Sequence, residues 1–362
     1  VSLAIIPGLF SALPQFLATL LASLYRVGFL RYERNLDLLA SVILIGCAFF
    51  ALGVSYPVLE WIQRSVSLLF LAFVVVAFLA FRPDLREMLS GAFLVSFPGY
   101  PDWVREAYPS MAARPPWVEA MTYAGIIGGS STDYIAYLSF LREKKWGLAG
   151  REPANEPLQL SSEDVSEGKR WLRAPRLDAL LSFGLVALFS ILFLVLGAIL
   201  LAPRHLLPDG ADLLTVQASF LTELHASLFP LYVAGILMVF LGAIYGGMEL
   251  HTRALFECAH EVSERLGRRP LEWFRRRVVG YALASGLLLI WTDWDPVALL
   301  TPASLLGGLL ACGLWCFTML WADRRFAPAP LAMGGPLRVA LGIAGVLLSG
   351  FGLTAVYDYL FG

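Results

Sequence analysis

The sequence predicts an all-α, polytopic membrane protein, and three observations carry that expectation. Of the 362 residues, 58% are hydrophobic and only 15% are charged, with a mean hydropathy of +0.70. Soluble domains are about half apolar and a quarter charged. Apolar runs of the roughly 20 residues that a helix needs to cross a hydrocarbon core recur along the whole chain. The charges collect between those runs. A formal net charge of −1 leaves no generally basic surface for neutralising phosphates, so nucleic acid is not an expected partner and the lipid bilayer is.

Nine spanning segments are expected, at roughly 1–25, 37–56, 61–81, 117–141, 177–202, 228–250, 275–292, 296–321 and 338–360. The first opens apolar with no basic stretch ahead of it, so it reads as a helix rather than a secretory leader, with Val1 inside or just before that helix. Leu68 to Val76 in the third and Leu341 to Leu348 in the last are apolar all round, as lipid-facing helices are. Between the third and fourth segments, 82–116 is rich in Pro and aromatic residues and is expected to fold in part onto the membrane surface. Between the fourth and fifth, 146–168 is rich in Glu, Ser, Pro and Gly and is expected to be a mobile loop.

Orientation follows from the 27 basic residues, because cytoplasmic loops accumulate Lys and Arg. Nineteen fall on one side, mainly in the connections 142–176 and 251–277 and near Arg324, Arg325 and Arg338, against eight on the other. The richer side is assigned to the cytoplasm, which makes 142–176 a cytoplasmic loop and 82–116 an external one. The expected location is a cell inner membrane, crossed many times.

An ionisable residue inside such a segment is costly and usually faces a cavity or pathway. In the fourth segment, Gly125-Ile126-Ile127-Gly128-Gly129-Ser130-Ser131-Thr132-Asp133-Tyr134 interrupts an apolar span with glycines, three hydroxyls and a carboxylate. This is the composition of a helix that unwinds inside the membrane, exposing carbonyls and a half-helix N-terminus to a cation or an anionic group. Hydroxyls with one carboxylate suit hard ions such as Mg²⁺, Mn²⁺ or Ca²⁺. The plainer reading is close helix packing through the glycines and hydroxyls, with Asp133 capping the segment that follows. The sixth segment holds Gly246-Gly247-Met248-Glu249, where Glu249 fits either a second pathway carboxylate or a residue at the cytoplasmic interface beside His251 and Arg253.

Other polar residues point less far. His205, His225, His251 and His260 lie outside the middles of the apolar runs, which disfavours haem ligation or a His-zinc hydrolase. Cys47, Cys258, Cys312 and Cys316 form no CxxC, and Cys312 with Cys316 reads as a packing pair one helical turn apart. Asp293 and Asp295 lie in a short turn flanked by Trp291 and Trp294.

Over its whole length the chain resembles the natural-resistance-associated macrophage protein (NRAMP) family of metal transporters. Val1-Ser2-Leu3-Ala4-Ile5-Ile6 is similar to the start of the family's third helix, and Gly125 to Gly128 with Tyr137-Leu138 is similar in spacing to its broken sixth helix. The resemblance implies the leucine-transporter fold, two inverted five-helix repeats with the ion at their interface. On that map 1–81 is the remainder of the first repeat, 117–321 the second and 338–360 an extra terminal helix, all within one transmembrane domain, 1–362. It also implies that the family's first two helices, with their Asp-Pro-Gly-Asn metal ligands, precede Val1. The family's metal-binding Met falls at Thr132, its carbonyl-donating Ala at Gly129, and its Met-Pro-His at Thr132-Asp133-Tyr134. Loss of the thioether places the chain nearer the magnesium-transporting branch.

The expected function is therefore a secondary transporter that moves a divalent cation, of the Mg or Mn type, by alternating access. Asp133, Thr132, Gly129, Ser130, Ser131 and Glu249 are the candidate ligands, and the ion is cargo rather than a resident cofactor. An amino-acid or other organic-solute transporter of the same fold is the alternative. An enzyme is not expected, because the sequence offers no nucleophile motif and no His–acid pair.

Overall fold

The computed structural model describes residues 2–361 apart from 26–32, 54–55, 85, 87, 89–90, 92–98, 113–114, 128, 148–160, 209–212 and 293. Every regular element among the described residues is helical. Three long helices come first: α1 (Ser2–Tyr25), α2 (Glu33–Gly53) and α3 (Tyr56–Phe81). Two short ones, α4 (Asp102–Ala107) and α5 (Pro109–Ala112), follow in the stretch expected at the outer surface. The fourth predicted segment is split into α6 (Pro116–Ile127) and α7 (Ser131–Glu143). Next come α8 (Ser162–Trp171), α9 (Arg173–Leu200), the short α10 (Leu213–Gln217) and α11 (Ser219–Thr222), and the long α12 (Phe229–Val262). The chain finishes with α13 (Glu264–Gly267), α14 (Leu271–Ile290), α15 (Pro296–Ala303), a π-helical segment Ser304–Leu310, α16 (Ala311–Phe326) and α17 (Gly335–Phe361).

Six of these stretches are long and apolar enough to cross a membrane: Leu3–Ser23, Asn35–Gly53, Ser162–Arg204, Ala226–Val262, Pro296–Phe326 and Gly335–Phe361. The other three expected spans differ for separate reasons. In the third, the described apolar stretch is Leu68–Phe81. In the fourth, neither α6 nor α7 alone is long enough to span. The seventh, α14, has 20 residues but carries Glu272 and Arg275 to Arg277 in its first two turns. Residues 162–168, the end of the stretch expected to be a mobile loop, belong to α8 instead. Ser161 accepts from the Asp164 N–H at 3.1 Å while Asp164 accepts from the Ser161 N–H at 3.0 Å, a capping box that starts a helix in a polar sequence.

The core is built around α1, which packs on α2, α12, α14 and α15. Ile6, Phe10, Leu17 and Leu20 on α1 are fully buried, whereas Leu180, Leu194, Val346 and Leu353 on α9 and α17 are exposed and face outward as lipid-contacting residues do. Lipid tails are as apolar as Leu, so helices associate through close packing rather than through the hydrophobic effect. Small residues set that approach: a Cβ on Gly8 would meet the Leu299 carbonyl oxygen at 2.2 Å, and one on Gly286 would meet the Phe10 carbonyl oxygen at 2.8 Å.

Two prolines lie inside α1, Pro7 and Pro14, and each deprives the carbonyl four residues earlier of its helical donor. The structure compensates at Pro7 through α14: the freed Leu3 carbonyl accepts from the Tyr281 hydroxyl at 3.0 Å. The carbonyl freed by Pro14 is that of Phe10, the same oxygen that Gly286 of α14 approaches. Thus the prolines of α1 help to fix which neighbour lies against it.

Candidate functional site

Ending α6 at Ile127 releases its last carbonyls from helical hydrogen bonding. The chain then turns through Gly129, whose φ of 73° is open to glycine and strained for other residues, and through extended Ser130 before α7 begins. Ser130 is the N-cap of α7. Its backbone N–H donates to Asp133 Oδ2, and the Asp133 N–H donates to the Ser130 carbonyl at 2.9 Å. Asp133 therefore holds the start of the second half-helix, and its Oδ2 lies 3.1 Å from where a Gly129 Cβ would stand. The plainer reading made this acid the N-cap of the segment; the N-cap is Ser130, and Asp133 is its capping-box partner at the third helical position.

The break packs against a second irregular helix. Gly125 of α6 and Gly308 of the π segment are in backbone contact, since a Cβ on Gly308 would lie 2.0 Å from the Gly125 carbonyl oxygen. One turn further on, Cys312 Sγ donates to the carbonyls of Gly129 and Gly307, at 3.5 Å each. A π segment adds a residue to a helical turn and rotates the helix beyond it, and it often marks functional sites. Here it comes after Pro302 and contains Gly307-Gly308. The sequence reads as one regular span through this eighth segment, with Cys312 as packing; the Pro–Gly-Gly run is its only local signal of the interruption.

Thr132 is buried at 2% exposure, while Gly129, Ser130, Ser131 and Asp133 are half-buried. Tyr134 lies between Phe183 of α9 and Trp315 of α16, each with ring centroids 6.4 Å away. Tyr137 donates to Asp178 Oδ2 at 3.0 Å, tying α7 to the start of α9. Five of the six candidate ligands, 129 to 133, lie in this one contiguous segment. A largely apolar cleft of about 540 Å³ runs between α6, α9 and the connections that flank them, and reaches Ile127 at the break.

Glu249 does not join that group. It is 5% exposed and accepts from Arg253 Nε at 2.8 Å and from Arg275 Nε and Nη2 at 3.0 and 3.1 Å. Arg253 also reaches Glu143 at 2.5 Å and lies 4.2 Å from the centre of the Phe140 ring. Glu143 is the last residue of α7, ten residues or about 15 Å along the axis from Asp133. Of the six candidate ligands, Glu249 is thus the one found in an ion-pair cluster, with two guanidinium groups on its carboxylate. The sequence could show Arg253 one turn away but not Arg275, which α14 supplies.

The remaining polar residues fall into structural roles. His251, which follows the apolar run of α12 rather than lying in its middle, is 3% exposed and sits edge-on to Phe10 at 6.2 Å. His205 stacks on Trp103 with centroids 5.1 Å apart. Asp295 caps α15 by accepting from the Ala298 N–H at 3.1 Å. Asp293 lies outside the described residues. Among the described residues, no three His, Cys, Asp or Glu side chains converge as a metal site. A cation at the break would rely on carbonyl and hydroxyl oxygens with one carboxylate.

No family model matches the chain, and no curated protein matches it.

Proposed function

We propose that this protein is a secondary transporter of a divalent cation in a cell inner membrane, with the interruption between α6 and α7 as its substrate site. The observation that carries the reading is the helix break itself, two half-helices meeting at Gly129 with Asp133 at the head of the second. Unwound backbone inside a membrane is tolerated where it is buried in protein or lines a cavity, and discontinuous helices are how transporters hold ions near the midplane. The donors in reach are oxygens: the released carbonyls of α6, the hydroxyls of Ser130, Ser131 and Thr132, and the carboxylate of Asp133. Oxygen ligands suit Mg²⁺ or Mn²⁺, and Mg²⁺ binds with part of its water shell in place.

Alternating access would follow from α7 moving against α12, along which it packs, while α6 stays with the π segment. The leucine-transporter fold, with α6 and α7 as its broken sixth helix, belongs to the same proposal. So does the likeness to the magnesium-transporting NRAMP-related branch.

Full-length protein in liposomes tests the reading through uptake of Mg²⁺, Mn²⁺ and Cd²⁺. Wild type is expected to carry Mg²⁺ or Mn²⁺ with little preference for Cd²⁺. Asp133→Asn should keep the fold, because an amide oxygen can still accept from Ser130, yet lose most uptake. Thr132→Met should gain Cd²⁺ affinity, since a thioether is a soft ligand. Uptake of an amino acid instead of a metal would favour an organic-solute carrier, and full metal uptake by Asp133→Asn would leave the acid as a cap only.

A further inference from the structure

At the foot of α9, on the side where basic residues accumulate, a cavity of about 480 Å³ is lined by Lys169, Arg170, Arg173 and Arg176 and closed by the turn at 330–332. None of its lining residues is acidic. We infer that this cavity is a binding site for a phosphate-bearing anion, and that its occupant is the headgroup of an anionic phospholipid.

The charge pattern is the first reason. Helix α9 begins at Arg173, directly after Leu172 caps α8. Lys169, Arg173 and Arg176 therefore fall at i, i+4 and i+7 on one face, with Arg170 beside them. Like charges at that spacing repel, and a bound anion removes the repulsion. Several other arginines meet an acid: Arg142 with Glu257, Arg204 with Glu223, Arg253 and Arg275 with Glu249, and Arg338 with Asp323. Among the described residues, the four cations of this cavity have no such acid. Two of the three acids of α8 are engaged elsewhere, Asp164 in the capping box and Glu167 in accepting from Trp171 Nε1 at 3.3 Å, and the third, Glu163, does not line the cavity.

Position supplies the second reason. The residues that come next on α9, including Leu177, Leu180, Leu181 and Phe183, are large, apolar and exposed, so the acyl chains of a lipid held here would lie along them. The cavity is also a built one. Leu331 sits against Gly168, where a Cβ would meet its Cδ1 at 3.3 Å, so the 330–332 turn is docked on α8 and forms a wall. Clusters of four or more basic residues immediately beside a transmembrane helix on the cytoplasmic side are what anionic lipids recognise.

Native mass spectrometry and thermal melting of the detergent-solubilised full-length protein test the proposal. Phosphatidylglycerol should be retained and should raise the melting temperature, while phosphatidylcholine should do neither. Arg173→Gln with Arg176→Gln should weaken phosphatidylglycerol binding roughly ten- to thirty-fold, at the usual worth of a basic residue near a lipid surface. Both arginines are exposed, so the fold should tolerate the change. Arg265→Gln with Arg268→Gln, an equal loss of charge away from the cavity, should leave binding unchanged. Equal retention of both lipids, or an equal effect of the two double variants, would overturn the site. Stabilisation by inorganic phosphate matching that by lipid would keep the anion site and overturn the lipid as its occupant.

Discussion

Glycines at the break separate two physical demands that look alike in a sequence. Gly129 is needed for its backbone angle, whereas Gly125 and Gly308 are needed because two backbones touch. Gly308→Ala should therefore be strongly destabilising, by about 1–3 kcal/mol and toward the upper end, since the obstacle is a carbonyl that cannot rotate aside. Gly246→Ala, on α12, meets nothing within 4 Å and should be neutral or stabilise by up to about 1 kcal/mol through helix propensity. Thermal melting of the two variants in the same detergent checks the contrast, and equal melting temperatures would contradict the packing described. The cluster of glycines, hydroxyls and Asp133 was legible because such residues are out of place in an apolar run. Cys312 was not, since nothing local distinguishes a thiol that packs from one aimed at a distant carbonyl.

At the scale of elements, α12 joins the end of the second half-helix to the basic face of α14. Glu249 is the centre of that joint, bonded to Arg253 one turn on and to Arg275 across the helix interface. Glu249→Ala would leave Arg253, itself 5% exposed, with Glu143 as its remaining acid. Breaking a buried pair by removing one partner typically costs about 3–5 kcal/mol, so this variant should unfold well before wild type in a denaturant titration. A loss below about 1 kcal/mol would mean that the cluster is solvated in the membrane-bound protein. Helix α8 offers the opposite lesson. Its polar composition reads as a loop, yet the Ser161–Asp164 capping box and the acids and bases placed at opposite ends make a helix.

For the whole molecule, the uneven division of Lys and Arg predicts an orientation of the bundle, and with it a side for each of the proposed cation and lipid sites. Helix α8 should lie in the cytoplasm. A cysteine at Ser162, an exposed position, should react with a membrane-impermeant maleimide only after cells are opened, in a background where the native cysteines are replaced. Labelling in intact cells would invert the orientation and move the basic cavity to the outer leaflet. The cleft that reaches Ile127 and the ion-pair joint at the far end of α7 lie on opposite sides of the break.

The sequence by itself determined the helical class, the spacing of the apolar runs, the uneven distribution of charge and the place where the fourth segment stops being a regular helix. Each of these follows from the local cost of putting polar groups, charges or unpaired backbone into lipid, which is incurred residue by residue. Tertiary structure decided the rest: that the π segment lies against the break, that Tyr281 answers the carbonyl freed by Pro7, that Arg275 meets Glu249, and that four cations share one cavity. Those pairings depend on which helices touch and at what rotation. Between apolar helices in lipid, that choice is made by close packing and hydrogen bonds between residues far apart in the chain, and no local pattern encodes it.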